Sequence, residues 1–277
     1  MKPGFGWLSK RRAPALAARA GPCRLNLGCG GHFHPDWVNL DFNAAAPGVI
    51  QHDLRTPLPF PDDSCEAVYH SHVLEHFPRR FAPRFLAECH RVLAPGGILR
   101  VVVPDLEAIT RLYLANLNGA LSGDAQAAAR HEWMTIELLD QMVREESGGE
   151  MRKYWERQPM PAGMFVFERL GQEARKFVEK SCAKPKPAPK AQPYQPPDAR
   201  QVARFRERGE IHQWMYDRHS LGELLRQSGF IEVRRCAADE SRIPCFNSYQ
   251  LDLHSDGSIR KPDSLFMEAR KPPGPST

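Results

Sequence analysis

The residues with the clearest chemical role are a glycine-rich turn and a carboxylate that follows it. Residues 25–31 run from an apolar stretch into a turn that contains Gly28 and Gly30. A second apolar stretch, residues 37–40, ends at Asp41. Glycines let a backbone approach a ligand closely, and a carboxylate accepts hydrogen bonds from ribose hydroxyls. The pair therefore predicts a nucleotide-type cleft at the carboxyl edge of a parallel sheet.

The spacing within this turn argues against a dinucleotide as the ligand. Dinucleotide-binding turns carry a third glycine, and Phe33 occupies that position here. Asp41 also follows the turn sooner than the interval of about 20 residues that dinucleotide sites show. A ligand without a pyrophosphate therefore fits this cleft better.

A cluster of histidines and a carboxylate further along could supply acid–base chemistry. If the chain is helical from residue 72 onwards, His72, Glu75 and His76 lie on one face of that helix. Their order, His-x-x-Glu-His, matches a pattern found in some zinc proteases. That pattern needs a different fold around it, so we discount the protease interpretation.

A second polar cluster precedes a segment that begins like a helix. His212 and Tyr216 could contact a substrate at the rim of the cleft, and Trp214 could stack on a sugar or another ring. Trp214 could equally pack in the core, and the sequence leaves both interpretations open. Asp105 could likewise bind substrate or cap the helix that follows it.

Alternating strands and helices must position these residues. Apolar runs predict five strands, at residues 23–27, 38–40, 49–53, 65–69 and 98–103. Apolar residues at helical spacing from Phe85 to Leu93 predict a helix before the fifth strand, with Pro83 in its first turn and residues 95–97 ending it. This alternation predicts an α/β fold with a doubly wound, Rossmann-like, mostly parallel sheet.

The pattern changes after the fifth strand. Residues 106–182 carry an apolar stripe at helical spacing, which predicts a helical insert. Residues 220–223 fit a capping box at the start of a later helix, and Gly229 closes that helix. Residues 230–233 and 265–269 predict C-terminal strands, one of them antiparallel, that complete the sheet.

Composition limits the class of protein. The chain has 277 residues, 42% of them hydrophobic, and a net charge of +5, which is ordinary for a soluble globular protein. The spread of its basic residues is weak support for a nucleic-acid partner, so we expect none. Seven cysteines form no Cys-x-x-Cys pair, which favours a reducing, cytoplasmic location over a disulfide framework. Apolar runs of a length that could span a bilayer are absent from the sequence.

Taken in order, these motifs resemble those of class I S-adenosylmethionine-dependent methyltransferases. Five stretches carry the resemblance, at residues 25–30, 39–41, 53–54, 69–76 and 91–97. The likeness covers residues 23–105. It implies an enzyme that transfers a methyl group and uses S-adenosyl-L-methionine as its cofactor.

The resemblance also implies which residues contact the cofactor. They are Gly28, Cys29, Gly30, Asp41, Asp53, Leu54 and His70. The glycine turn would line the methionine and ribose, and Asp41 would hold the ribose hydroxyls. Asp53 and Leu54 would border the adenine, and His70 would lie near the methyl donor. The chain departs from the family pattern at Asn26, where an acidic residue is often found.

Methyl transfer requires alignment of the acceptor and, for a hydroxyl or amine, a base. The catalytic candidates are His72, His212 and Tyr216. Some methyltransferases carry Glu-x-x-Glu-His at the position of residues 72–76 and bind a divalent metal with it, but His72 replaces the first glutamate. We therefore expect Glu75 and His76 to bond to nearby backbone, and we predict no metal ligand.

The resemblance divides the chain into six predicted segments. They are a flexible basic extension (1–22), a cofactor-binding half (23–105), a helical insert or lid (106–182), a Pro/Lys-rich linker (183–200), a C-terminal helix and strands (201–270) and a tail (271–277). The overall pattern is similar to bacterial methyltransferases associated with cell-surface polysaccharide synthesis. It predicts a small-molecule or glycan acceptor, methylated at oxygen or nitrogen. An RNA or protein methyltransferase and a non-catalytic cofactor-binding subunit stay open as alternatives.

Overall fold

Seven strands form one sheet in the computed structural model, which describes residues 23–44, 46–182 and 198–274. The strands are β1 (Cys23–Leu27), β2 (Val38–Asp41), β3 (Val49–Gln51), β4 (Cys65–Ser71), β5 (Leu93–Pro104), β6 (Ile231–Cys236) and β7 (Ser264–Arg270). Their order is β3-β2-β1-β4-β5-β7-β6. Strands β1 to β5 pair in parallel, and β7 runs antiparallel to both β5 and β6. The predicted α/β fold with a C-terminal antiparallel strand is confirmed.

Several strand ends differ from the prediction, most of all the start of β5. β5 begins at Leu93 rather than at residue 98, because the chain after β7 pairs with its glycines. Gly96 N donates to Lys271 O at 3.0 Å, and Lys271 N donates to Gly97 O at 2.9 Å. β3 ends at Gln51, so the predicted strand residue Asp53 lies in the following loop.

Helices cover one face of the sheet. α1 (Ala82–Val92) has Pro83 in its first turn and buries Phe85, Leu86, Cys89 and Val92, as its spacing predicts. α8 (Arg218–Gln227) packs beside it against β6 and β7. Together with the inward residues of the strands, these two helices enclose the main apolar core.

Irregular chain covers the opposite face. Residues 237–263, with a single 3₁₀ turn at Phe246–Tyr249, pack on an aromatic core that includes Trp37 and Tyr69. Arg100 lies fully buried within this layer and forms ion pairs with Asp252 at 2.7 Å and Glu268 at 3.0 Å. The connection from β1 to β2 is built of turns, with no helix among residues 28–37.

The predicted helical stretch after β5 is observed as five helices. They are α2 (Leu106–Leu121), α3 (Ala125–Val143), α4 (Gly149–Trp155), α5 (Gly163–Leu170) and α6 (Gln172–Cys182). They share a separate core around Trp133 and Tyr154. The insert starts beside the chain that leads into α8, since Leu106 N donates to Tyr216 O at 3.0 Å.

The start of α8 corrects the predicted capping box. The sequence placed the box at residues 220–223, but Asp217 is the N-cap. Its carboxylate accepts from the backbone N–H of His219 and Ser220, both at 2.8 Å. Ser220 Oγ in turn accepts from Asp217 N at 3.1 Å. A carboxylate one turn earlier satisfies the same free N–H groups, so the helix begins at Arg218.

Some predicted segments lie outside the described residues. They are the basic extension at 1–22, most of the Pro/Lys-rich linker (183–197) and the last tail residues (275–277). The linker was predicted to reach residue 200, whereas α7 (Ala199–Arg206) begins just before its end. None of the helices in the described ranges has the length and apolarity needed to span a membrane.

Candidate active site at the carboxyl edge of the sheet

A cavity of about 410 Å³ opens where β1 and β4 end. Its walls come from the glycine turn, the end of β4, α6 and the loop before β7. The lining residues are Gly28, Cys29, Gly31, His32, Tyr69, Ser71, His72, Glu173, Arg260 and Lys261. A cavity at the carboxyl ends of parallel strands is the usual ligand position in this class of sheet.

The turn after β1 can only be made with glycine at its first position. Gly28 has φ +67°, and a Cβ there would overlap Cγ2 of Val73. The turn is tied to the neighbouring strand, because the N–H groups of Gly28 and Cys29 donate to Leu40 O at 2.8 and 3.1 Å. Gly30 also has a positive φ, of +54°, and an added Cβ there would meet no described atom within 4 Å. At these glycines no side chain covers the backbone of the turn that borders the cavity.

Asp41, at the end of β2, is held against this turn. Its Oδ2 accepts from Gly30 N at 2.8 Å, and its Oδ1 accepts from Asn43 N at 2.8 Å. Each carboxylate oxygen has two acceptor positions, so both keep capacity for further donors. A fixed carboxylate beside a bare backbone turn fits the vicinal hydroxyls of an adenosyl ribose.

Cys29 adds an uncharged side chain to this wall. Burial, together with the charge of Asp41, raises the pKa of its thiol to about 11. The thiol is therefore neutral near pH 7 and behaves as a small apolar group rather than as a nucleophile.

Asp53 and Leu54 lie in the loop after β3, beside Asp41. The loop is joined to β2 by His52 N, which donates to Asp41 O at 2.8 Å. Asp53 binds the guanidinium of Arg55 through both oxygens, at 2.9 and 2.8 Å, and this pairing lowers the pKa of its carboxyl. Leu54 packs partly buried on the main core. Their predicted contact with the adenine stays a prediction.

His70 points into the core rather than towards the cavity. Its side chain is fully buried, its ring meets the Phe85 ring edge-to-face at 5.1 Å, and its nitrogens have no hydrogen-bond partner among the described residues. Burial lowers the pKa of the ring to about 3. Side chains alternate along a strand, so Tyr69 and Ser71 of β4 line the cavity instead. The predicted position of His70 near the methyl donor stays a prediction.

His72 is the predicted catalytic residue that lies on the cavity wall. It has a left-handed backbone, with φ +54°, which is costly for a residue with a side chain and is found mainly at functional sites. Its Nε2 lies 2.8 Å from Ser264 Oγ, and its Nδ1 lies 3.3 Å from Glu75 Oε1. Burial and the nearby charge of Lys261 hold the pKa of His72 well below its usual range, so the ring is neutral.

Glu75, His76 and His212 form a cluster behind His72, in which Glu75 and His212 are buried and His76 is half-buried. The helix predicted from residue 72 is only a 3₁₀ turn, Leu74–His76, which turns the His76 ring towards His212. The two rings lie 4.9 Å apart between centroids. His76 bonds to backbone, with Nδ1 at 2.9 Å from Ile211 O. The backbone bond predicted for the Glu75 side chain is not formed, since neither carboxylate oxygen has a hydrogen-bond partner among the described residues. Burial raises the pKa of Glu75 to about 8.

The rest of the segment that contains His212 is mostly packed. Met215 lies in the core of the insert, and Tyr216 lies in the main core, where burial raises its pKa to about 12. Trp214 is partly buried, and the Arg79 guanidinium lies 4.8 Å from its ring centroid. Asp105 caps α2 by accepting from Ala108 N at 3.1 Å, which resolves the choice left open by the sequence.

Three residues of the cavity wall carry no sequence motif. Lys261 Nζ lies 2.8 Å from the Glu173 carboxylate and lowers the pKa of that group. Arg260 is held by Leu251 O, to which its guanidinium donates. They come from α6 and from irregular chain before β7, so only the folded arrangement brings them to the cavity.

The comparisons with known proteins are consistent with the resemblance seen in the sequence. Residues 34–101 match a family described as a methyltransferase domain. Over 103 residues the chain is 33% identical to a probable S-adenosylmethionine-dependent methyltransferase of Mycolicibacterium smegmatis, a match that covers 31% of this chain. The match spans about two fifths, 39%, of the relative's length. These two matches support a methyltransferase that uses S-adenosylmethionine.

Two solved structures that were compared with this chain share little sequence with it and have TM-scores of at most 0.40. One is a chain in the complex between the Haloferax volcanii Trm112 methyltransferase activator and a putative methyltransferase, at TM-score 0.40 and 14% identity, covering 93% of this chain and 85% of that one. Another is a Burkholderia thailandensis 1,6-didemethyltoxoflavin-N1-methyltransferase with bound S-adenosylhomocysteine, at TM-score 0.39 and 11% identity, covering 91% and 72%.

Proposed function

We propose that this chain is a class I methyltransferase that transfers the methyl group of S-adenosylmethionine to oxygen or nitrogen of a small-molecule or glycan acceptor. The observation that carries the proposal is the glycine turn after β1, with Asp41 fixed against it, on the wall of a cavity that His72 also lines. The match of residues 34–101 to a methyltransferase domain supports the same cofactor.

The cofactor would lie along the turn. Gly28, Cys29 and Gly30 would border its methionine and ribose, and Asp41 would accept from the ribose hydroxyls through its unused lone pairs. When bound, S-adenosylmethionine supplies an activated methyl group on a sulfonium. The chain's own contribution is alignment of an acceptor atom with that group and exclusion of water from the cavity.

The acceptor would enter from the side of the helical insert. Glu173 of α6 and the cations Arg260 and Lys261 give this wall charged hydrogen-bonding groups of both signs, which suit a polar, hydroxyl-rich molecule. We infer that the insert acts as a lid over this part of the cavity. The glycan preference itself rests on the resemblance of the sequence.

His72 would accept the proton of an acceptor hydroxyl or amine as the methyl group is transferred. It is neutral and lies on the cavity wall, where Ser264 Oγ lies 2.8 Å from its Nε2 and fixes the orientation of its ring. His212 and Tyr216 are 4% and 3% exposed, so they would act by positioning the residues of the cavity wall. Their direct contact with the acceptor stays a prediction.

The cofactor assignment is tested by Asp41→Ala, with calorimetric titration of S-adenosylmethionine. Loss of two charge-assisted hydrogen bonds, at about 1.5 kcal/mol each, predicts a weakening of about 100-fold. Asp36→Ala is the matched control, because that side chain is 64% exposed. Thermal unfolding confirms that both variants fold, and unchanged affinity in a folded Asp41→Ala protein overturns the assignment.

Turnover is tested with methyl-labelled S-adenosylmethionine and a panel of sugars, lipids and RNA. Label transferred to a sugar or small molecule supports the proposal. Label transferred to RNA, with binding that weakens steeply as salt rises, favours the nucleic-acid alternative. Tight cofactor binding without transfer to any acceptor favours a non-catalytic cofactor-binding subunit.

A further inference from the structure

The Glu75 carboxylate is buried without a hydrogen-bond partner. Its side chain is 0% exposed, and neither oxygen has a partner among the described residues. The nearest ring nitrogens are His72 Nδ1 at 3.3 Å and His212 Nε2 at 4.0 Å from Oε1. A buried polar group with no partner is costly, so such groups normally bind a proton, a water or a cation.

Two imidazoles present nitrogen atoms to this carboxylate. His76 Nδ1 donates to Ile211 O at 2.9 Å, which leaves the lone pair on Nε2. His212 Nε2 lies 3.0 Å from the amide nitrogen of Gln141 and accepts from it, so its one lone pair becomes available to an ion only when the Gln141 amide turns away. A histidine whose other ring nitrogen is fixed by a backbone carbonyl is the arrangement typical of metal ligands.

We propose that Glu75, His76 and His212 bind a divalent transition-metal ion of the zinc type. One ligand atom from each residue lies within 4.8 Å of the other two. Metal–ligand distances of about 2.1 Å bring such atoms closer together, so small side-chain rotations would close the site. Two imidazoles with one carboxylate favour zinc or a similar ion over magnesium or calcium, which prefer oxygen ligands. The proposal goes beyond methyl transfer and does not depend on it.

The charges around the cluster allow a cation there. The neighbouring cations are already paired. Arg144 binds Asp140 at 2.5 Å and Glu210 at 3.1 Å, and Lys261 binds Glu173 at 2.8 Å.

The ligands come from two distant parts of the chain. Glu75 and His76 follow β4, whereas His212 precedes α8 and is joined to α3 of the insert, since His212 N donates to Gln141 O at 2.9 Å. A bound ion would therefore fasten the insert to the edge of the sheet, directly behind His72. Its expected role is to fix the position of the wall that faces the acceptor.

The test is a titration of the chelator-treated full-length protein with Zn²⁺, and in parallel with Mg²⁺. We expect one tightly bound zinc per chain by elemental analysis, a rise in Tm with zinc, and no such rise with magnesium. His76→Ala should bind zinc at least tenfold more weakly and lose the zinc-dependent rise in Tm. His219→Ala, which removes an exposed histidine on α8, is the matched control.

Glu75→Gln keeps the test decisive if His76→Ala fails to fold. An amide replaces an unpaired buried carboxylate of the same shape, so this variant should fold as stably as the wild type without metal, yet lose the zinc-dependent rise in Tm. Absence of zinc binding by the wild type overturns the proposal, and a buried water then pairs with Glu75. Unchanged zinc affinity in a folded Glu75→Gln or His76→Ala protein also overturns it. None of these readouts uses methyl transfer.

Discussion

The glycine turn and the cluster behind His72 are built in different ways. At the turn, Gly28, Gly30 and Asp41 are close in sequence, and hydrogen bonds with backbone groups hold the turn and the Asp41 carboxylate in place. Behind His72, Glu75 and His212 come from distant segments, and the Glu75 oxygens have no hydrogen-bond partner among the described residues. The turn is a motif formed by residues close in sequence. The cluster behind His72 brings together side chains from distant segments.

The largest effect is expected at the turn, from Gly28→Ala. A left-handed alanine costs about 1–2 kcal/mol, and its overlap with Val73 costs about 1–3 kcal/mol more, so the free energy of unfolding should fall by about 2–5 kcal/mol. Urea unfolding measures this loss. A double-mutant cycle with Val73→Ala, which lowers stability on its own because Val73 is buried, isolates the steric part.

The matched control is Gly31→Ala in the same turn. An added Cβ there meets no described atom within 4 Å. Its effect should stay within about 0.5 kcal/mol. A Gly28→Ala protein as stable as the Gly31→Ala protein would mean that the turn is not constrained. The contrast between the turn and the cluster behind His72 would then fail.

A smaller, pH-dependent effect is expected at His70, where β4 separates the core from the cavity. Burial lowers the pKa of this ring to about 3 in the folded protein, from 6.5. The folded state therefore binds fewer protons than the unfolded state, so stability is full above pH 6.5 and falls as the pH drops towards 3. At pH 5 the loss is about 2 kcal/mol.

His70→Leu should remove this part of the acid sensitivity. The measurement is urea unfolding of both proteins at pH 8 and pH 5, with His219→Leu as an exposed control. The affinity for S-adenosylmethionine should stay unchanged if His70 serves only the core. A large loss of affinity would instead support its predicted place beside the methyl donor.

The smallest effect is expected at the start of α8. Asp217→Ala removes the N-cap and should lower the free energy of unfolding by about 1 kcal/mol. Glu223→Ala, in the capping box that the sequence suggested, should lower it by less than about 0.5 kcal/mol. Thermal unfolding compares the two variants, and equal losses would contradict the observed cap.

Periodicity and local motifs allowed most of the fold to be predicted. The glycine turn, α1 and the central strands are signalled within a few residues each, so their positions follow from local physics. The capping error arose because Asp217 and Ser220 both have capping chemistry, and only packing decides which one starts the helix. Likewise, β5 was predicted too short because its pairing partner lies beyond β7.

The residues of the candidate site differ in the same way, since some are signalled by the local sequence and others only by the folded structure. Gly28 and Asp41 could be identified from spacing alone. Glu173, Arg260 and Lys261 lie in segments without a motif, and their place on the cavity wall depends on how α6 and the loop before β7 pack. The approach of His212 to His76 is likewise a tertiary contact, which no pattern within either segment reveals.

The insert leaves and rejoins the sheet region at neighbouring points. Asp105 forms a parallel bridge with Tyr216, next to the hydrogen bond from Leu106 to the same residue. A unit attached through adjacent ends can change in length or be exchanged during evolution while the strands that carry the turn keep their places. Chimaeras that join this sheet to a different insert at these two residues should therefore keep the glycine turn intact, and on the proposed function they would change the acceptor alone.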